Sequence, residues 1–71
     1  MQHQSVEGSV IEILPNSLYK VSLEGGREVL CYVAGKMKLN RIRVLVGDTV
    51  KVVLDPYRGK ATNRIIERLP L

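Results

Sequence analysis

Lys36, Lys38, Arg41 and Arg43 fall within the nine residues from Gly35 to Arg43, beside the carboxamide of Asn40. Four cations in so short a span suit phosphate oxygens, which accept charge-assisted hydrogen bonds from guanidinium and ammonium groups. No comparable constellation exists for catalysis. His3 is the only histidine, so a histidine-based triad or general base has no source. One cysteine and one histidine do not make a zinc site. Gly35-Lys36 fails as a P-loop, because the earlier glycine would be Leu30 and the following Ser or Thr is Met37. The carboxylates are scattered singly and read as solvated surface charge. The chain is therefore expected to bind rather than react, with no catalytic residue, metal or cofactor.

The charge is segregated. Residues 1–34 hold Lys20 and Arg27 against Glu7, Glu12, Glu24 and Glu28, a net of −2, while residues 35–71 carry +6, which together give the overall +4. A charge cluster often does no more than keep a loop solvated. This one coincides with the longest connection between strand-like segments and with the basic half of the chain, which favours nucleic-acid contact. Met37, Leu39 and Ile42 alternate with the cations and read as apolar pins for the segment. Pinning would hold the cations in place and lower the ordering cost of binding.

The elements that must position this loop are short strands. At 71 residues the chain makes one domain, and about 60% of the unfolded chain's surface can leave water. With no Phe or Trp, the core has to come from Val, Leu and Ile, which pack well on pleated strands. A first strand is expected over Val6 to Leu14, with a bulge or strong coiling at Gly8 or at the change of phase between Val10 and Ile11. Leu14-Pro15-Asn16-Ser17 stops it. Tyr19, Val21 and Leu23 alternate in a second strand, Glu24-Gly25-Gly26-Arg27 makes a hairpin, and Val29, Cys31 and Val33 alternate in a third. A short helix or 3-10 segment is placed near Lys36 to Asn40. Val46-Gly47-Asp48-Thr49 turns into a fourth strand over Val50 to Leu54, ended by Asp55 to Gly59. The fifth spans Ala61 to Arg68, with Ile65 and Ile66 as its apolar centre and Asn63, Arg64 and Arg68 as polar positions. The expected fold is all-β, a five-stranded Greek-key barrel of the OB type with the short helix between strands three and four. An SH3-like barrel is the competitor.

Residues 1–5 read as a flexible terminus and 6–71 as the RNA-binding domain. No signal or transit pattern is present, and the run from Val29 to Ala34 is too short to cross a membrane. A cytoplasmic location follows as the expectation. Cys31 reads as a small buried hydrophobe. Tyr19, Tyr32 and Tyr57 are the possible stacking platforms: Tyr19 shares the phase of the core, Tyr32 points outward, and Tyr57 either stacks or caps the barrel. So few aromatics disfavour a cold-shock-type single-strand binder and favour backbone contact with folded RNA.

The chain also resembles the bacterial-type translation initiation factor one family over nearly its whole length. The resemblance rests on Gly8-x-Val10, Leu14-Pro15-Asn16, Tyr19-x-Val21-x-Leu23, Gly35-Lys36-Met37-Lys38, Ile42-Arg43-x-Leu45-x-Gly47-Asp48-x-Val50 and Pro56-Tyr57. It implies a non-enzymatic accessory protein that binds the small ribosomal subunit in the aminoacyl-tRNA (decoding) site through ribosomal RNA. Such a protein keeps elongator tRNA out and supports the initiation GTPase factor and the subunit anti-association factor. Off the ribosome it would be a monomer, and no membrane is involved. By position, Lys36, Met37, Lys38, Asn40, Arg41 and Arg43 fall in the loop that meets RNA, and Arg64 matches a basic position of the last strand. Tyr32 stands where the family commonly has a histidine on the RNA-facing side, so it could stack where histidine would pair. Residues 59–64 replace the usual Ser-Lys-Gly-Arg segment, and Leu69-Pro70-Leu71 lacks the basic tail of many members. A generic OB-fold RNA-binding or RNA-chaperone protein and an SH3-like protein-interaction module remain the alternatives.

Overall fold

Alternating apolar and polar residues become five strands and one helix: β1 (Ser5–Ile13), β2 (Tyr19–Leu23), β3 (Glu28–Val33), α1 (Gly35–Leu39), β4 (Thr49–Val53) and β5 (Asn63–Arg68). The computed structural model describes residues 5–54 and 63–69. The strands close into a barrel in the order β1-β2-β3-β5-β4. Every pairing is antiparallel except that of β3 with β5, which is parallel. This closure, with a helix between β3 and β4, is the OB-fold, so the SH3-like competitor is set aside.

Inward positions are the expected aliphatic ones. Val10, Val21, Val29, Cys31, Val33, Val50, Val52 and Ile65 are buried around one axis, and Met37 joins them from the helix. Only glycine fits at position 8, since a Cβ there would lie 2.5 Å from Val21 Cγ1 and 2.8 Å from the Ser22 carbonyl oxygen. That close approach lets β1 serve both neighbours. It pairs with β4 through Ser5 to Ser9 and with β2 through Gly8 to Ile13. The register jumps between Val10 and Glu12, leaving Ile11 as the extra residue of a bulge.

A second bulge was not expected. Ile65 faces Val52 and Glu67 faces Lys51, so Ile66 has no opposite number. The apolar pair at the centre of β5 is thereby split into one core residue and one half-buried residue. Asn63 also departs from expectation, being buried in phase with Ile65, where its Nδ2 donates to the Leu30 carbonyl at 3.0 Å. A buried carboxamide needs such partners, which is how a polar residue sits on the inner face. His3, the Asp55 to Gly59 turn with Tyr57, and Ala61 and Thr62 lie outside the described residues.

Candidate nucleic-acid interface

Four pieces of chain meet at one end of the barrel: the end of β3, α1, the return loop to β4, and the end of β5. Ala34 opens the helix. Its N–H donates to the Ile65 carbonyl at 2.9 Å, which ties the helix to β5, and its own carbonyl accepts from Met37 and Lys38 at 3.0 and 3.3 Å. The helix then ends by a bonding pattern that places one residue in the left-handed region. Arg41 donates to Lys38 O at 3.1 Å and Ile42 to Met37 O at 3.0 Å, with Arg41 at φ 56°. This is the Schellman arrangement, whose left-handed position usually belongs to glycine. An arginine there carries a backbone cost of about 1–2 kcal/mol.

Met37 is the residue whose role changes. Expected both as a pin and among the RNA contacts, it is 1% exposed and fills the barrel end, so its side chain acts as the pin alone. Leu39, expected to pin, is 84% exposed and does not. Ile42 is only partly covered. The second pin is Val44, which is buried and lay unrecognised in a stretch read as loop. Its signal was the apolar-polar-apolar order of Ile42-Arg43-Val44, which Leu45 breaks, a pattern too short to separate from an irregular segment.

The return to β4 is held by backbone bonds and by the Asp48 carboxylate. Asp48 Oδ2 accepts from Leu45 N–H at 2.8 Å, and Asp48 N–H donates to Leu45 O at 3.1 Å, around Gly47 at φ 98°. Gly47 and Val10 complete the attachment through bonds of 2.8 Å (Gly47 N to Val10 O) and 2.9 Å (Val10 N to Asp48 O). Between these anchors Lys36, Lys38, Asn40, Arg41 and Arg43 are all exposed. On the adjoining wall Tyr32 and Arg64 are register partners across β3 and β5, and both are exposed. Seven of the eight candidate residues are thus exposed, five on the loop at the barrel end and two on the adjoining wall, while Met37 is buried.

The electrostatics favour an anion. Among the described residues the ion pairs are Lys20–Glu12 at 3.4 Å and Lys51–Glu67 at 3.8 Å, neither involving a loop cation. Asp48, the carboxylate within this connection, is occupied by the Leu45 amide. A hollow of about 440 Å³ lined by Val6, Glu7, Leu23, Glu24, Arg27 and Leu54 opens at the other end of the barrel, away from the cations. Cys31 is buried, and burial pushes its thiol up to about 12, so it offers neither nucleophile nor metal ligand. The described residues contain no group of three or more metal-ligating side chains. No helix among them is long and apolar enough to cross a membrane.

The family model of translation initiation factor 1A / IF-1 matches residues 1–70. The chain belongs to that family. A solution structure of the bacterial translation initiation factor IF-1 from the Wolbachia endosymbiont strain TRS of Brugia malayi is similar in fold and sequence. It has a TM-score of 0.81 and 37% identity over 96% of this chain and 79% of that one. Two longer proteins contain the same barrel over 23% of their length. YjeQ from Thermotoga maritima matches 94% of this chain with a TM-score of 0.79 and 26% identity. YloQ, a circularly permuted GTPase, matches 96% with a TM-score of 0.78, and at 24% identity it speaks for the fold alone. As a member of the 1A / IF-1 family, the chain is a translation initiation factor.

Proposed function

We propose that this factor acts by binding, not catalysis, and that it occupies the aminoacyl-tRNA (decoding) site of the small ribosomal subunit in the cytoplasm. There it contacts ribosomal RNA, keeps elongator tRNA out during initiation, and supports the initiation GTPase factor and the subunit anti-association factor. The observation that carries this is the anchored loop whose exposed cations, Lys36, Lys38, Arg41 and Arg43, enter no ion pair among the described residues, on a chain of the initiation-factor family. Asn40, Tyr32 and Arg64 extend the same surface. A folded RNA presents phosphates and 2′-hydroxyls to such an arrangement, and shape dominates its recognition.

A chemical footprint of the protein on small subunits tests the location, with protection of the decoding region expected and protection elsewhere, or none, ruling it out. Replacing Arg41 and Arg43 together by Gln is expected to weaken subunit binding. The slope of log K against log salt should become shallower by about 0.7 to 0.9 for each phosphate that the loop no longer neutralises. Equal affinity for unrelated single strands would instead mark a generic RNA-binding barrel.

A further inference from the structure

We propose that Arg68 is a positioning residue for the RNA-binding loop, holding Arg43 through its main chain. The proposal rests on the reading of that loop as the RNA interface and adds a residue from a distant strand that sets its geometry. Its basis is the second bulge. In an uninterrupted strand, Glu67 would follow Asn63 and Ile65 into the barrel. With Ile66 left over, Glu67 instead faces Lys51 on the outside, and Arg68 stands opposite Val50, a core residue. The Arg68 side chain therefore leaves β5 on the inward phase at the barrel mouth. It reaches across the mouth, where Nη1 donates to the Arg43 carbonyl at 3.2 Å.

The bond joins parts of the chain 25 residues apart at the point where the loop needs a constraint. Arg41 is fixed by the helix end and Leu45 by the Asp48 carboxylate. Between them, buried Val44 and the Arg68 bond hold the backbone, and both act on the peptide unit linking residues 43 and 44. Leu69 N–H donates to Thr49 O at 2.8 Å, so the strand bearing Arg68 is itself secured at that end. A loop carbonyl held by a guanidinium from a fixed strand keeps the Arg43 side chain directed outward before any ligand arrives, and such preorganisation lowers the ordering cost of binding.

The test uses the full chain with Arg68→Leu, Arg68→Lys, Arg43→Gln and the Arg43→Gln/Arg68→Leu double variant. In the free protein, backbone order at residues 42 to 45, read by amide relaxation, is expected to fall in Arg68→Leu and to recover in Arg68→Lys. Small-subunit affinity of Arg68→Leu is expected to drop about 2- to 12-fold, the span of one hydrogen bond's net contribution, with the salt slope kept. In the Arg43→Gln background the same change should have almost no further effect. Unchanged loop order in Arg68→Leu overturns the proposal. So does an additive loss with the salt slope reduced by about 0.7 to 0.9, which would make Arg68 a phosphate contact in its own right. If the unaltered protein does not bind small subunits, the functional reading fails, and the loop-order measurement still decides the role of Arg68.

Discussion

Tyr32 and Arg64 sit side by side across the one parallel strand pairing of the barrel, both exposed on its outer wall next to the start of α1. A phenol ring beside a guanidinium offers a base face and a phosphate contact within one residue pair. Tyr32→Ala is expected to weaken small-subunit binding by about 1 to 3 kcal/mol, the range for one base stacked on an aromatic ring. Tyr32→Phe should retain most of the affinity, since the ring does the stacking. Equilibrium binding of both variants checks this, and equal losses would point to the hydroxyl instead.

Arg41 should show opposite effects on stability and binding. Glycine at its left-handed position relieves the backbone cost, so Arg41→Gly is expected to raise unfolding free energy by about 1 kcal/mol. The same change removes a loop cation and should lower subunit affinity and shallow the salt slope. Denaturant titration and subunit binding on the one variant give both signs. A loss of stability would show the side chain to be structural.

Met37 and Leu39 lie two residues apart on one short helix and have opposite environments. Met37→Ala is expected to cost about 2–5 kcal/mol, as for other large-to-small changes in a core. Leu39→Ala should stay within about 0.5 kcal/mol, as surface changes usually do. Thermal melts of the pair suffice. Because Met37 seats the loop, its variant should also bind subunits more weakly at temperatures where it remains folded.

The barrel was legible because its strands are two-sided. Tyr19-Lys20-Val21-Ser22-Leu23 and Glu28 to Val33 alternate cleanly, and the bulge at Ile11 follows from a visible change of phase. The second bulge was not legible, because Ile65 and Ile66 are equally apolar and only the pairing with Lys51 and Val52 says which one turns inward. The inward turn of Asn63, a polar position of β5, was hidden for a related reason: its burial depends on a carbonyl from β3, 33 residues away. In the loop after β3 the clustering and exposure of the cations were readable from type and spacing. The division of labour among Met37, Leu39 and Val44 was not, since a five-residue helix is too short for periodicity to choose a face.

Cys31 gives a pH dependence of definite sign. Its thiol ionises near the ordinary value of 9.0 when unfolded and only near about 12 when folded, because burial disfavours the thiolate. Between those values the unfolded chain holds fewer protons, so unfolding is increasingly favoured as pH rises through that window. This contribution is fully present below about pH 9 and falls at up to about 1.4 kcal/mol per pH unit above it. Cys31→Ala should flatten that part of the stability profile in denaturant titrations between pH 8.5 and 11, on the order of two units of the window. In the native protein at neutral pH, alkylation should proceed only as fast as global opening.

The closed strand order has one more consequence. Each of the five strands has a hydrogen-bonded neighbour on either side over part of its length, so none of the described strands is a wholly unpaired edge, the usual template onto which another polypeptide adds a strand. Closure thereby restricts the backbone-pairing mode of recognition, which needs a sheet edge and is prone to misassembly. The larger part of the surface left to a partner is side chains and the shape of one anchored loop.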